Sequence, residues 1–422
     1  MDGNQLDSLF KTYSGLDRSI YILFLSQVVN RMGDFVQLFL VLYLTSRMGF
    51  TEGAAGRFLM GAAAMNGIGV LLGGALSDKF NRKVILTGSQ ILFAAFYIAC
   101  GFYTDSMVAP WLILISSVFR GATWPATNAM VIDLTNGEER ARAFSLLYLG
   151  TNVGVAVGPL IAGFLFNSHL NWLFWGDALT TLIAAVAVIY LVPDTKPTHE
   201  EIKEFTKDRV DGERAEAGTA LGAFLRRPVL VIYLCVALLS SFMYAQMNFT
   251  IPLQMNDLFG INGPRQFGYI MTFNAVIVLV FTVLITHMSR KNRPIANIAI
   301  SSVFFTIGFG ILLGVTTMRF YLLSTFIWTI GEVLNVTSSN VFISRHTPIT
   351  HRGRFNSIIN LVHGAGFAFC PWISGILLEN TSFSYLWRVV GIVGIVATIL
   401  YIILWLVLKS REAFEPESAS TE

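Results

Sequence analysis

Arg31 and Asp34 lie three residues apart in "FLSQVVNRMGDFVQLFLVLYL", residues 24–44, a stretch that is otherwise almost wholly apolar. Arg120 in "SVFRGATW" and Glu332 in "TIGEVLNV" are placed the same way. An ionisable group at the centre of a hydrocarbon layer costs about 2.5–3.5 kcal/mol even on insertion scales, so such groups mark a site. Gln27, Asn30, Arg31, Asp34 and Gln37 follow helical spacing and share one face, which must look into a cavity. The chemistry open to buried carboxyls beside guanidiniums is reversible protonation. A neighbouring cation favours the anion and loss of water favours the neutral acid, so a change of access switches the state. Glu332 and Asp34 are therefore expected to take up protons on one side and release them on the other, with Arg120 and Arg31 as their partners between turns. Permanent structural pairs, Arg31–Asp34 or Arg120–Glu332, are the alternative.

The elements that position these groups follow from composition. The chain has 422 residues, 54% hydrophobic and 13% charged, far too apolar for a soluble protein of this length. Apolar stretches of about 20 residues recur throughout, long enough to cross a bilayer as helices. Twelve spans are predicted, at 19–46, 53–76, 84–104, 109–134, 142–166, 171–193, 228–258, 266–288, 294–314, 319–344, 355–379 and 385–408. The polar first eighteen residues do not resemble a cleavable signal, so the first span is expected to direct insertion. Of the 29 Lys and Arg, 22 fall in the N-terminal tail, in the loops after even-numbered spans, or in the C-terminal tail. That bias places both termini in the cytoplasm. The net charge of +3 therefore reports topology, and no nucleic-acid partner is expected.

Cys100, Cys235 and Cys370 sit singly in separate spans, and no CxxC, HExxH or phosphate-loop pattern is present. The chain is thus expected to hold no metal and no cofactor, with protons as the coupling ion. Residues 194–227 carry eight acidic and seven basic side chains. They divide a first six-span bundle, 1–193, from a second, 228–408, followed by a tail, 409–422. One half shifted by 212 residues lays Asn128 on Asn340, Arg140 on Arg352, Arg142 on Arg354, Gly154 on Gly366, Pro159 on Pro371 and Arg120 on Glu332. Parallel six-span repeats imply two bundles that expose a midplane site in turn.

"GALSDKFNRK", residues 74–83, resembles the G-x-x-x-D-[RK]-x-G-R-[RK] loop of the major facilitator superfamily, with Gly74, Asp78, Lys79, Arg82 and Lys83 in register. Asn81 stands where the pattern has its second Gly, and is expected to keep a left-handed turn. The resemblance implies an all-α membrane fold of twelve helices in two pseudo-symmetric bundles, and a cytoplasmic latch from Asp78 to the start of the eleventh span. Arg142 is a candidate partner for Asp78, and Asp133 is expected to pair with Arg140 or Arg142. "GTNVGVAVGPLIAG", residues 150–163, resembles the pattern of the superfamily's proton-exchanging exporters, with Gly150, Gly154, Gly158, Pro159 and Gly163. Glycines at every fourth position make a stripe another helix can approach, and the proline permits a bend. Glu332 resembles a functional acid of the superfamily's proton-coupled multidrug exporters.

Asp177, in "WLFWGDALTT", is placed near the outer end of the sixth span, reaching interfacial water. Candidate cavity residues are Gln27, Asn30, Trp124, Asn128, Tyr148, Asn152, Tyr244, Gln246, Asn274, Trp328, Asn335, Asn360 and His363. Aromatics with amides and a few acids suit an amphipathic organic molecule. The expected activity is proton-coupled export of drug-like or cationic organic compounds by a monomer in the cell membrane. Uptake of a small nutrient such as a peptide by symport is the alternative, and a non-transporting sensor ranks behind both. An enzyme would need a nucleophile with its base, or a metal set, on facing helices, and neither is present.

Overall fold

The computed structural model describes residues 13–135, 137–194, 227–346 and 352–414; within helices, the side chains of Asp78, 137–138, Ala141, 344–345, 352–361 and 411–414 are also outside the description. Among these residues the regular structure is helical. The first span is made by α1 (Arg18–Met32) and α2 (Phe35–Leu42), the latter continued by a π-helical turn, Tyr43–Arg47. Spans two to six are α3 (Glu52–Lys79), α4 (Arg82–Phe102), α5 (Val108–Asp133), α6 (Gly137–Ser168) and α7 (Leu170–Leu191). Spans seven to twelve are α8 (Pro228–Phe259), α9 (Gly263–Ser289), α10 (Pro294–Ile311), α11 (Met318–His346), α12 (Arg352–Asn380) and α13 (Phe383–Phe414).

Local chemistry sets several helix starts. Asp17 caps α1 by accepting from the Ser19 N–H at 2.7 Å, and Thr51 caps α3 by accepting from Ala54 at 3.1 Å. Asn81 does not adopt the expected left-handed turn. It lies at φ −65°, ψ 124° and caps α4, its side chain accepting from the Lys83 N–H at 2.9 Å. A capping side chain needs only extended backbone, which explains why the loop survives without its second glycine.

The first span departs from a single helix. The break falls at Gly33–Asp34, where the Gly33 N–H still reaches the carbonyls of Val29 and Asn30 but Phe35 N–H turns back to Gly33 O at 2.7 Å. Gly33 is pressed against α7: a Cβ there would stand 1.7 Å from Thr180 Oγ1. A residue without a side chain is required by that approach, and it is also a weak helix former.

Two compact units divide the chain, Met1–Lys207 with Ile251–Ala275, and Asp208–Thr250 with Val276–Glu422. In the first, α1 packs on α6 and α7, while α3 and α4 pack on α5. Its core joins Ile20, Leu23, Leu86, Met130, Val131, Leu146 and Val188. The segment Ile251–Ala275 joins this unit through Phe39–Phe267, 5.3 Å between ring centroids, and the Arg265 guanidinium 4.1 Å over Phe164. The second unit is centred on Leu230, Tyr233, Ile298, Phe342, Ala397 and Tyr401. Large apolar side chains such as Leu71, Tyr190, Val280 and Ile392 stand exposed, as lipid-facing residues of a spanning bundle must. All of the expected linker 194–227 except Asp194 and Arg227, and residues 415–422 of the expected tail, lie outside the described residues.

Candidate functional site

The break in the first span opens a cavity of about 360 Å³ in the first unit, lined by Gln27, Asn30, Arg31, Asp34, Asn66, Gln90, Arg120, Trp124, Asp177 and Thr181 among others. Asp34, freed from the helix ladder, makes no capping bond of its own. Its Oδ2 instead accepts from Arg31 Nη1 at 3.0 Å and Arg120 Nη2 at 2.9 Å. Arg120 Nη1 donates to Gln37 Oε1 at 2.6 Å. Gln27 donates to Thr151 at 3.1 Å and Asn30 to Thr181 at 3.0 Å. The polar face read from residues 27–37 thus does line a hollow. It also meets Asp177, which is 3% exposed and lines the same cavity; the expectation that this residue reaches interfacial water is corrected. The inside of a broken helix next to a polar cavity is where span 6 can lower a carboxyl without exposing it to lipid.

Glu332 lies in the second unit, in a cavity of about 270 Å³ with Tyr244, Phe305, Asn335, Ser339, His363 and Phe367. The two cavities match at the repeat. Phe93, Arg120, Thr123, Trp124 and Thr127 line the first; Phe305, Glu332, Asn335, Val336 and Ser339, each 212 residues later, line the second. The halves therefore use the same helix faces for their hollows and differ in the charge placed there. Tyr244 meets Phe305, Trp328 and Phe367 with centroids 5.8–6.0 Å apart, and His363 Nδ1 lies 3.1 Å from Ser241 Oγ. Aromatic faces around an acid suit an amphipathic cation.

Other candidates have different surroundings. Gln246 is fully buried, bonded to Ser374 at 2.9 Å and to Thr250. Trp328 is also fully buried, stacked on Phe309 at 5.8 Å. Both belong to the packing of the second unit, outside the cavity lining. Asn274 is 5% exposed, Asn152 donates to the Tyr148 carbonyl at 2.8 Å, and Tyr148 and Asn128 line neither of these two cavities. The side chain of Asn360 is outside the described residues.

The glycine stripe of α6 receives α1. A Cβ on Gly154 would stand 2.5 Å from Arg31 Cβ, and one on Gly158 2.8 Å from the Met32 carbonyl oxygen. Gly150 faces Phe24, and Gly163 meets the Pro264 carbonyl. The stripe thus seats the very turns that carry Arg31 and Asp34.

At the loop after α3, Arg82 pairs with Asp133 and donates to the Ala129 carbonyl at 3.3 Å. Asp133 therefore has Arg82 in place of the expected Arg140 or Arg142. Arg140 bonds the Ile132 and Thr135 carbonyls at 3.3 Å, and Arg142 the Ser14 carbonyl at 3.4 Å. Lys83 Nζ donates to Val192 O at 2.7 Å, closing the C-terminal end of α7. Gly74 faces Pro125, 3.9 Å from a Cβ, and Lys79 is exposed. The side chain of Asp78 and those at the start of the eleventh span, residues 352–361, lie outside the described residues, so the expected latch between them is not described. Because the Arg82–Asp133 pair is largely shielded, breaking one side leaves a poorly solvated charge. Asp133→Asn is expected to lower the thermal midpoint in detergent, and Arg82→Asp with Asp133→Arg to restore most of it; a single variant indistinguishable from wild type contradicts this.

Spanning helices with repeat-matched cavities, one of them lined by a partly shielded ion-pair cluster, are the features of a secondary transporter. The chain belongs to the Major Facilitator Superfamily, whose family model matches residues 23–363 and 334–422. It is 26% identical to the uncharacterised MFS-type transporter YqjV of Bacillus subtilis, over 85% of this chain and 86% of that protein. It is 22% identical to a Na(+), Li(+), K(+)/H(+) antiporter of Planococcus maritimus, over 87% and 90%, and 24% identical to the multidrug resistance protein MdtH of Yersinia enterocolitica, over 64% of each. Among solved structures it resembles a peptide transporter POT bound to sulfate, with a TM-score of 0.75, 16% identity, and coverage of 94% and 95%. That likeness is one of fold. The twelve-helix, two-bundle arrangement expected from the sequence is the superfamily's own, and its members are transporters rather than enzymes.

Proposed function

We infer that this protein is a proton-coupled antiporter that exports amphipathic, drug-like or cationic organic compounds by alternating access. The observation that carries this reading is the Arg31–Asp34–Arg120 cluster, three charges bonded together on the wall of an internal cavity. Nothing in packing alone requires charges there, and each adds to the cost of insertion. In this reading Asp34 and Glu332 exchange protons, Arg120 and Arg31 hold the first bundle's acid in place, and Tyr244 with its aromatic neighbours receives the substrate. The glycine stripe under Arg31 and two relatives named for multidrug resistance and cation/proton antiport support the same direction. In this reading the protein works as a monomer in the plasma membrane, with both termini cytoplasmic and no resident cofactor.

A second reading, uptake of a carboxylate-bearing nutrient with protons, is favoured by one observation. Two guanidiniums line the first cavity, and guanidinium is the group best suited to carboxylate. A relative named as a 4-hydroxybenzoate transporter, from Acinetobacter baylyi and 25% identical over 76% of each chain, accords with it.

Everted vesicles under an imposed pH gradient separate the two. Ethidium accumulation driven by an acid interior is the expected result, and Glu332→Gln is expected to abolish the gradient's effect. Gradient-driven 4-hydroxybenzoate flux in the import direction, without ethidium movement, supports symport instead. Full gradient dependence in Glu332→Gln refutes the proton role of that residue.

A further inference from the structure

Asp177 is the one acid of the first cavity whose carboxyl has room for a proton. It projects from α7, is 3% exposed, and one of its oxygens, Oδ2, has no hydrogen-bond partner among the described residues. Its chain neighbour Gly176 packs on Phe35 at the start of α2, where a Cβ would stand 2.7 Å from the ring, just past the break in the first span. Asp34 stands in contrast, its Oδ2 bonded to two guanidiniums. A proton arriving at that oxygen must displace an N–H donor, whereas a proton arriving at Asp177 fills a vacancy. A buried anion with an unpaired oxygen is costly, and so is a buried hydroxyl without an acceptor, which makes the local surroundings decisive for which form persists.

Those surroundings are charged on every side. Asp34 and Arg31 of the broken first span and Arg120 of α5 line the same cavity as Asp177, and the Tyr97 phenol of α4 lies within electrostatic reach of it. With the two arginines and two aspartates ionised, the cavity is neutral. One proton on Asp177 leaves it with a single positive charge. The same stretch of α7 seats the break itself: Thr180 presses on Gly33 and Thr181 accepts from Asn30 at 3.0 Å.

We propose that Asp177 is the coupling carboxyl of the first bundle, taking a proton from water on one side, returning it to water on the other, and passing its state to the first span through the start of α2. The proposal rests on the proton-coupled reading above and moves the first bundle's proton from Asp34, which stays ionised between its two arginines, to Asp177. The carboxylate plus a hydronium ion gives the acid plus water, and no other bond changes.

The test is infrared difference spectroscopy on the full chain in phosphatidylethanolamine–phosphatidylglycerol vesicles as the pH is stepped, with ethidium flux measured in the same vesicles. The wild type is expected to gain a carboxylic-acid C=O band on acidification. Asp177→Asn is expected to lose that band together with the pH dependence of flux. Asp177→Glu is expected to shift the band and retain it, which keeps the test decisive if the amide variant folds poorly. A band unaltered in both variants, in vesicles whose wild-type protein still follows the gradient, overturns the assignment to Asp177 and leaves proton coupling standing. A wild type that ignores the gradient while Asp177 still titrates overturns proton coupling, and the coupling role with it.

Discussion

Arg120→Gln is expected to abolish gradient-driven flux and to lower stability by about 1–3 kcal/mol, less than for a fully buried pair because both side chains keep some exposure and Asp34 retains Arg31. Among the described residues, the arginine is the ion-pair partner that reaches the cluster from outside the first span: Arg31 and Asp34 are three residues apart, whereas Arg120 reaches Asp34 and Gln37 from α5. Losing it leaves Asp34 with one guanidinium in place of two and unties the helices on either side of the break. Arg120→Lys keeps the charge but cannot span two acceptors in one plane, so it is expected to retain stability better than flux. The decisive comparison is a double-mutant cycle with Asp34→Asn. If the two residues form one unit, the double variant is more stable than Arg120→Gln alone, because no bare carboxylate remains. Additive losses in thermal midpoint contradict the coupling.

The extent to which this site was legible in the chain follows from what each signal depends on. Burial in hydrocarbon forces spans to be long and apolar, so twelve of them, and the charged residues that violate the rule, are visible as composition. The polar face of the first span was visible because helical spacing is local, and the matched cavity faces because the repeat carries them at one offset. Three features were not. The break at Gly33 depends on Thr180, 147 positions away in the chain, and a glycine alone does not announce which helix will press on it. Asp177 was displaced toward the water because hydropathy gives depth along a span and not the face a side chain takes. Arg82 and Asp133 pair across the α3–α4 loop and the end of α5, where several cations compete for one acid and only the approach of the helices chooses. Gln246 and Trp328 show the converse: amide and indole types fit a cavity, yet close packing of the second unit uses them up.

The crossing of α3 and α5 sets where Arg120 points, and it leaves no space for a methyl group. A Cβ on Gly121 would stand 2.0 Å from the Asn66 carbonyl oxygen, and one on Gly69 1.9 Å from that of Val118. Each obstacle is backbone, so no side-chain rotation relieves it and the helices must separate. Gly121→Ala is therefore expected to cost about 1–3 kcal/mol as overpacking. Its effect on transport is expected to be larger than that figure implies, because Gly121 follows Arg120 directly and the same displacement draws the guanidinium from Asp34. Gly88 in α4, which has nothing within 4 Å of a Cβ, supplies the control: Gly88→Ala is expected to leave both thermal midpoint and flux near wild type. Small-residue helix crossings in membranes owe their strength to such close approach, and here that approach also aims a charge. A Gly121→Ala protein with wild-type gradient-driven flux separates the two, and shows that Arg120 keeps its bonds without the crossing's fixed distance.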